Sequence, residues 1–252
     1  MTQSKISVPP GFVILSTAFE YFIEAKNLEA DIDAILHSVN HTKIHTVENA
    51  SEKIRALILG ADIPTNIADE ILDSFEKLGA KFVAVRSSAT AEDSSVAAWA
   101  GQLESYLNTT KKNLVENVKK CWASLFLPRA ITYRFEKNLH KHQISVAVVV
   151  QKMVQSEVAG ISFSVHPITQ DKNQILIEAG SGLGEAIVSG QITPDSYVIE
   201  KKNWVIIDKN ISKQTKALIK SVGGGNSWKD IKSDKQKLSD SQIVELAKIT
   251  LQ

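Results

Sequence analysis

Residues 83–93 are Val-Ala-Val-Arg-Ser-Ser-Ala-Thr-Ala-Glu-Asp, an apolar run followed by an arginine and then by small and hydroxyl side chains. The apolar part, together with Lys81 and Phe82, predicts a strand that ends at Arg86, and the following residues predict a loop. Loops after strands are common ligand positions in α/β sheets, and the planar fork of an arginine suits phosphate oxygens. On residue type alone, a buried structural Arg86 paired with Glu92 explains the pattern equally well.

Helix and strand signals extend on both sides of this segment. The expected helices cover residues 18–39, 51–59, 66–78 and 111–139, the last interrupted at Pro128. The expected strands cover residues 12–15, 81–86, 144–153, 160–165, 174–179, 196–200 and 204–208. Gly79 follows the third helix as a stop signal, and Ser239 with Gln242 forms a capping box that starts a final amphipathic helix. The pattern therefore predicts an α+β fold.

Charge and cysteine content limit the possible classes of function. The 252 residues contain 29 Lys and Arg against 28 Asp and Glu, a net charge of +1. This balance gives no support for nonspecific binding to nucleic acid or to anionic membranes. Cys121 is the only cysteine, so no internal disulfide can form, and its neighbours favour a core position. The longest apolar run, residues 146–150, is too short to span a bilayer, so a cytoplasmic protein is expected.

Two glycine-rich segments resemble nucleotide-binding loops only superficially. Residues 180–184 are Gly-Ser-Gly-Leu-Gly, in which the third glycine follows the second by two residues, whereas the dinucleotide fingerprint requires three. Residues 223–225 are three glycines without the Lys-Ser/Thr pair of a phosphate-binding P-loop, and they favour a hairpin loop instead. A nicotinamide or flavin fold is therefore not expected.

Several ordered blocks of sequence together resemble the nucleotide-binding domain of phosphoenolpyruvate synthase and pyruvate phosphate dikinase. The segment 83–93 resembles the signature of that family, which also includes rifampin phosphotransferase. The other matching blocks are residues 8–12 (Val-Pro-Pro-Gly-Phe), 100–107, 149–154, 159–169, 177–186 and 193–197. The resemblance covers almost the whole chain.

The resemblance implies an ATP-grasp-like fold, in which two β-rich lobes with flanking helices hold ATP between them. The first lobe is expected to cover residues 1–110 and to carry the arginine-bearing strand, and the second is expected to cover residues 111–252. By resemblance, the residues that contact ATP are Arg86 at the phosphates, Gly101 where the backbone approaches them, Ser105 near the nucleotide, Gln151 at the adenine edge, Met153 and Val154 as apolar cover, and Glu178 as a polar contact.

In such enzymes ATP with magnesium phosphorylates a histidine on a separate domain, and the phosphoryl group then passes to pyruvate or another small acceptor. The family's lysine before the Pro-Pro-Gly-Phe strand, its metal-binding carboxylates and its Thr-Ser-His segment have no counterparts here. The sequence therefore predicts a chain that is incomplete at both ends, with the metal ligands, phosphohistidine and acceptor-binding domains elsewhere. As an isolated chain it is expected to bind ATP weakly and to turn it over negligibly. The alternative is a stand-alone, non-catalytic module for nucleotide binding or protein interaction.

Overall fold

The computed structural model describes residues 6–89, 102–137, 139 and 145–252. The described residues divide into two compact units, one within residues 9–153 and the other formed by residues 6–8 and 154–252. The division falls after Met153, and the lobes expected over residues 1–110 and 111–252 stay a prediction. The cause of the division at this point is strand pairing, because a strand near residue 150 lies in the same sheet as the arginine-bearing strand.

The sheet of the first unit is antiparallel, with the strand order β1-β4-β2-β3. Its strands are β1 (Gly11–Ile14), β2 (Val83–Ala89), β3 (Ser105–Thr109) and β4 (Val146–Lys152). Successive strand residues point to opposite faces. On one face the valines at positions 83, 85, 146, 148 and 150 are fully buried against helices. The other face, called the open face below, carries the polar residues.

Helices cover the buried face of this sheet. They are α1 (Ser16–Ala25), α2 (Glu29–His37), α3 (Ile44–Gly60), α4 (Thr65–Leu78), α5 (Lys111–Ala123) and α6 (Pro128–Glu136), with a short 3-10 turn between the last two. Helix α5 packs on β2 and β4, and α1 packs on β4. Trp122 stacks on Phe22 with ring centroids 5.2 Å apart, and both side chains are fully buried. These aromatic rings form the centre of the core.

Some helix and strand boundaries agree with the predicted ones and others differ, and the backbone conformation of single residues explains several of these outcomes. Gly79 has φ 61° and ends α4 as predicted, and the helical run that follows residue 111 is split before Pro128. The single helix predicted over residues 18–39 is wrong, because Asn27 adopts φ 53° and separates α1 from α2. The strand predicted to end at Arg86 continues through Ala89. Arg86 is therefore an interior strand residue and not the last residue before a loop.

The second unit contains an antiparallel sheet in the order β5-β6-β7-β8 and a separate hairpin. The sheet strands are β5 (Val158–Phe163), β6 (Gln174–Ser181), β7 (Asp195–Glu200) and β8 (Val205–Asn210). The hairpin consists of β9 (Gln214–Lys220) and β10 (Asn226–Ser233), whose strands the sequence did not predict although it predicted the glycine turn between them. The remaining helices are α7 (Glu185–Val188) and α8 (Asp240–Thr250), and the predicted capping box starts α8.

A buried ion pair connects three parts of the second unit. The Asp195 carboxylate lies 3.1 Å from Lys237 Nζ, and the two side chains are 0% and 2% exposed. It also accepts hydrogen bonds from the Ser212 and Lys237 amides, both at 2.9 Å, and from the Tyr197 hydroxyl at 2.8 Å. Lys237 Nζ donates in addition to the Ser212 carbonyl at 2.7 Å. These bonds join β7 to the β8–β9 connection and to the segment that precedes α8.

We expect Lys237→Met to lower the free energy of unfolding by about 3 kcal/mol, because it leaves the buried Asp195 charge without its counter-ion. The control is Lys209→Met, which removes an ion pair between Lys209 and Asp240 at the surface and is expected to leave the midpoint of urea denaturation nearly unchanged. Equal shifts for the two variants in urea titrations at neutral pH would contradict the assigned role of the buried pair.

The same site makes stability depend on pH. Burial by itself raises the pKa of Asp195, but hydrogen bonds from Ser212, Tyr197 and Lys237 outweigh burial and hold that pKa below its ordinary value. The stabilisation is therefore fully present above the unfolded-state pKa of about 4 and is lost as the pH falls through the lower folded-state pKa. We expect Asp195→Asn to be less stable than the wild type at pH 7, and the difference in unfolding free energy to shrink below about pH 4. A difference that stays constant down to acid pH would show that the carboxylate charge is not responsible.

Candidate functional site

Arg86 lies in the middle of β2, on the open face of the first-unit sheet. Its neighbour Val85 is buried, whereas Arg86 is exposed, as the alternation of a strand requires. The interpretation of Arg86 as a buried structural residue is therefore wrong. Its proposed partner Glu92 lies outside the described residues. The exposed guanidinium leaves the arginine accessible to an anionic ligand.

Ser105 is the direct partner of Arg86 on the adjacent strand. The two residues are opposite each other in the antiparallel ladder between β2 and β3. Residues in such positions share one face and have Cβ atoms about 5 Å apart. Ser105 is exposed like Arg86. The sheet thus fixes the backbone of a cationic residue beside that of a hydroxyl residue, and both side chains can donate hydrogen bonds to phosphate oxygens.

Gln151 lies on the same face, on the other side of β2. It pairs with Ala84, two residues before Arg86, and with Gly11 of β1. Its side chain is half-buried, and Nε2 donates to the Pro9 carbonyl at 3.0 Å. This bond fixes the amide orientation and attaches the Val-Pro-Pro-Gly segment to the edge of the open face. The structure therefore brings Arg86, Ser105 and Gln151 together in one sheet.

The chain before Ser105 is anchored from the buried side of the sheet. The Glu104 carbonyl accepts hydrogen bonds from the Ser87 hydroxyl at 2.7 Å and from the Ser87 amide at 3.3 Å. The Cys121 thiol donates to the Val85 carbonyl at 3.7 Å and lies 3.8 Å from the Glu104 carbonyl. Tyr106 donates its hydroxyl proton to the Glu104 carboxylate. These contacts hold the Arg86–Ser105 pair in register.

The Cys121 thiol and the Tyr106 hydroxyl of this anchor remain protonated at neutral pH. Burial, with the nearby Glu104 carboxylate, raises the pKa of the Cys121 thiol to about 12. Burial and the hydrogen bond to Glu104 also raise the pKa of Tyr106 above its ordinary value. Both groups therefore act as donors, and Cys121 is a core residue as the sequence predicted. The sequence did not indicate Ser87 or Tyr106 as anchors, because the spacing of residues does not show which carbonyl a hydroxyl will reach.

The other predicted contacts are distributed over both units. Gly101 and the preceding residues 90–100 lie outside the described residues. Met153 is half-buried at the end of the first unit, and its amide donates to the Phe82 carbonyl at 3.0 Å. Val154 begins the second unit and is 57% exposed.

Glu178 belongs to the second unit, on β6. It pairs with Ile161 on one side and with Ser196 on the other, so these three side chains share a face. The opposite face of β6 carries Ile175 and Ile177, which are buried in the core that includes α8. Glu178 is thus a half-buried carboxylate within a partly apolar surface. A polar contact to a nucleotide is compatible with this surface.

Within the described ranges, no three His, Cys, Asp or Glu side chains are placed so that they could hold one metal ion. Nor does any helix in the described part of the chain combine the length and apolar character that a membrane span requires. The cross-strand pair of Arg86 and Ser105 supplies a cationic and a hydroxyl donor, and both suit phosphate oxygens.

Comparison with known proteins points to a nucleotide ligand, which agrees with donors suited to phosphate. The family model described as pyruvate phosphate dikinase, AMP/ATP-binding domain, matches residues 1–252. The chain belongs to this family. The matched domain is an AMP/ATP-binding domain, so the open face with Arg86 is interpreted below as part of a nucleotide site.

The individual relatives are named as phosphoenolpyruvate synthases or as a phosphotransferase, in agreement with the family match. The chain is 40% identical to a probable phosphoenolpyruvate synthase of Methanocaldococcus jannaschii, over 100% of this chain and 22% of that protein. It is 37% identical to the phosphoenolpyruvate synthase of Pyrococcus furiosus, over 99% of this chain and 36% of that protein. It is 36% identical to the rifampicin phosphotransferase of Bacillus subtilis, over 97% of this chain and 28% of that protein. The chain thus spans between about a fifth and about a third of the length of these relatives.

We expect Gly11→Ala to destabilise the first unit, because an added Cβ would lie 2.4 Å from the Val150 carbonyl oxygen. Forcing this contact separates β1 from β4, and the expected loss is about 1–3 kcal/mol of unfolding free energy. Gly60→Ala is the matched control in the same unit, because a Cβ there meets nothing within 4 Å. We expect this control to be neutral or stabilising. Equal denaturation midpoints for Gly11→Ala and the wild type would refute the close approach of the two strands.

Proposed function

We propose that this chain is the ATP-binding part of an ATP-dependent phosphotransferase of the phosphoenolpyruvate synthase type. The observation that carries the proposal is the cross-strand pair of Arg86 and Ser105 on the open face, in a chain that belongs to an AMP/ATP-binding domain family. Arg86 is proposed to bind phosphate oxygens, and Ser105 is proposed to donate its hydroxyl hydrogen bond beside it. Both groups are fixed by a sheet, so little reorganisation is needed when the ligand binds.

The remaining parts of the nucleotide site follow from the same proposal. Gln151, Met153 and Val154 are proposed to line the base, and Gly101 is proposed to allow the backbone to approach the phosphates. Glu178 is proposed to supply a polar contact from the second unit. An ATP-grasp-like fold with two β-rich lobes is proposed to hold the nucleotide. Magnesium, when bound with ATP, supplies positive charge that neutralises the phosphates, and its ligands are proposed to lie outside the residues described above.

The reaction of the longer protein is part of the proposal. In a phosphotransferase of this type the groups described here bind and orient ATP, and a histidine on another domain receives the phosphoryl group. The acceptor after that histidine is proposed to be pyruvate or another small molecule. The two names found among the relatives, phosphoenolpyruvate synthase and rifampicin phosphotransferase, suggest that relatives differ in the acceptor. The protein is proposed to work in the cytoplasm.

We expect Arg86→Ala to weaken binding of ATP with magnesium by about tenfold or more, because it removes charge-assisted hydrogen bonds to phosphate. Isothermal titration calorimetry measures the effect. Lys53→Ala is the control, because it removes an exposed cation of α3 and is expected to change the affinity by less than about twofold. Adenosine has no phosphates, so its affinity is expected to be the same for the wild type and Arg86→Ala.

Two results would contradict the phosphate role of Arg86. The first is equal ATP affinity for the wild type and Arg86→Ala. The second is a parallel loss of ATP and adenosine affinity, which indicates damage to the base site or to the fold. Circular dichroism of the variant distinguishes a folded protein with weaker binding from an unfolded one.

A further inference from the structure

The β9–β10 hairpin is a strongly basic feature in a chain that is nearly neutral overall. Residues 213–235 contain six lysines and two aspartates, a local net charge of +4, whereas the whole chain has +1. The side chains of Lys213, Lys229, Lys232 and Lys235 are exposed. Among the described residues, the ion pairs do not include any of these four lysines. Their charge is therefore available to a partner.

One edge of the hairpin is held by the second unit and the other is unpaired in the described chain. The inner strand β9 is attached through Leu218, whose carbonyl accepts from the Leu183 amide at 2.9 Å. Asn226, at the start of β10, donates to the Glu185 carboxylate at 2.6 Å. Strand β10 pairs with β9 alone among the described strands. Its outer edge consequently presents main-chain donors and acceptors to solvent.

An organised aromatic group lies on the same strand. Trp228 is 40% exposed, and Lys216 Nζ lies 4.3 Å from the centroid of its ring. This cation–π contact orders a large apolar side chain at the surface. At the turn, Val222 is fully exposed. The hairpin thus combines a free strand edge, an apolar anchor and unpaired positive charge.

We propose that the outer edge of β10 binds an acidic, extended segment of a partner protein by adding it as a further strand. Main-chain hydrogen bonds to the edge supply affinity in this mode, and side chains supply specificity. Acidic residues of the partner meet Lys229 and Lys232, and an apolar residue packs beside Trp228. The register with β9 is regular from Asn226 to Asp230 and shifts before Ser233, so the added strand forms its ladder with the regular part and reaches Lys232 with an acidic side chain just beyond that ladder.

The charge and the free strand edge favour an acidic polypeptide over a second copy of the hairpin or a nucleic acid. A second copy of this hairpin is repelled, because lysines on an edge strand oppose one another when two such edges meet. A nucleic acid cannot form a β-ladder with a free strand edge, and the hairpin contains no arginine, the residue best suited to bidentate phosphate contacts. An acidic polypeptide satisfies both the main-chain edge and the positive charge.

The test measures binding of a short synthetic peptide of alternating glutamate and valine by calorimetry at low ionic strength. The proteins compared are the wild type, Lys229→Glu/Lys232→Glu, and the control Lys172→Glu/Lys202→Glu, whose changes lie in the β5–β6 and β7–β8 loops of the same unit and alter the net charge equally. We expect the hairpin variant to lose affinity about tenfold or more, and the control to lose less than about threefold. Trp228→Ala is expected to weaken binding as well.

Further probes separate strand addition from simple charge attraction. A peptide with the same side chains but N-methylated at alternate residues cannot complete the ladder and is expected to bind much more weakly. Equal binding of the methylated peptide, equal losses in the two charge variants, or no binding by the wild type would overturn the proposal. Tighter binding of single-stranded oligothymidylate than of the acidic peptide would also overturn it, in favour of a nucleic-acid surface.

Discussion

The position of β4 between β1 and β2 is the constraint on which the candidate site depends. This strand is hydrogen-bonded on both sides, and its buried valines fix which of its faces meets the helices. A slip of one residue would bury Gln151 and expose the valines, so the register is strongly determined. The same register places Gln151 on the face that carries Arg86. The close approach of Gly11 to the Val150 carbonyl shows how tightly this arrangement is packed.

The phosphate-binding role proposed for Arg86 gains its physical basis from the extension of β2. A loop arginine must lose conformational freedom when it binds a ligand, whereas the backbone of Arg86 is paired with Val149 on one side and with Ser105 on the other. Behind this pair, the hydrogen bonds of Ser87 and Cys121 to main-chain carbonyls hold the two strands together. The protonated Cys121 thiol keeps its bond to the Val85 carbonyl at neutral pH, and the protonated Tyr106 hydroxyl keeps its bond to the Glu104 carboxylate. Contacts on the buried side of the sheet thus hold the strands that carry Arg86 and Ser105 on the open face.

Sequence patterns could predict the elements with regular periodicity and clear end signals, such as α4 with Gly79 and α8 with its capping box. They did not predict β3, where Asn108 adopts φ 50° and the register with β2 shifts between Val83 and Val85. Such a bulge interrupts the alternation by which a strand is identified. Sequence patterns also could not predict contacts between residues that are far apart in the chain. Asp195 and Lys237 are 42 residues apart in sequence. Both side chains of this ion pair are buried, and only the folded structure shows that burial.

The near-neutral net charge does not show where the chain can bind anions, because positive charge is concentrated locally. Residues 213–235 have a net charge of +4 and the remaining chain has −3. The overall net charge therefore does not exclude anion binding at Arg86 or at β10. The two places differ in chemistry. Arg86 is a single planar donor group fixed in a sheet, which suits the oxygens of one phosphate group. The hairpin lysines are mobile point charges along a strand edge, which suit several carboxylates on an extended chain. Residue type and backbone setting, and not total charge, therefore determine which anion each surface is proposed to bind.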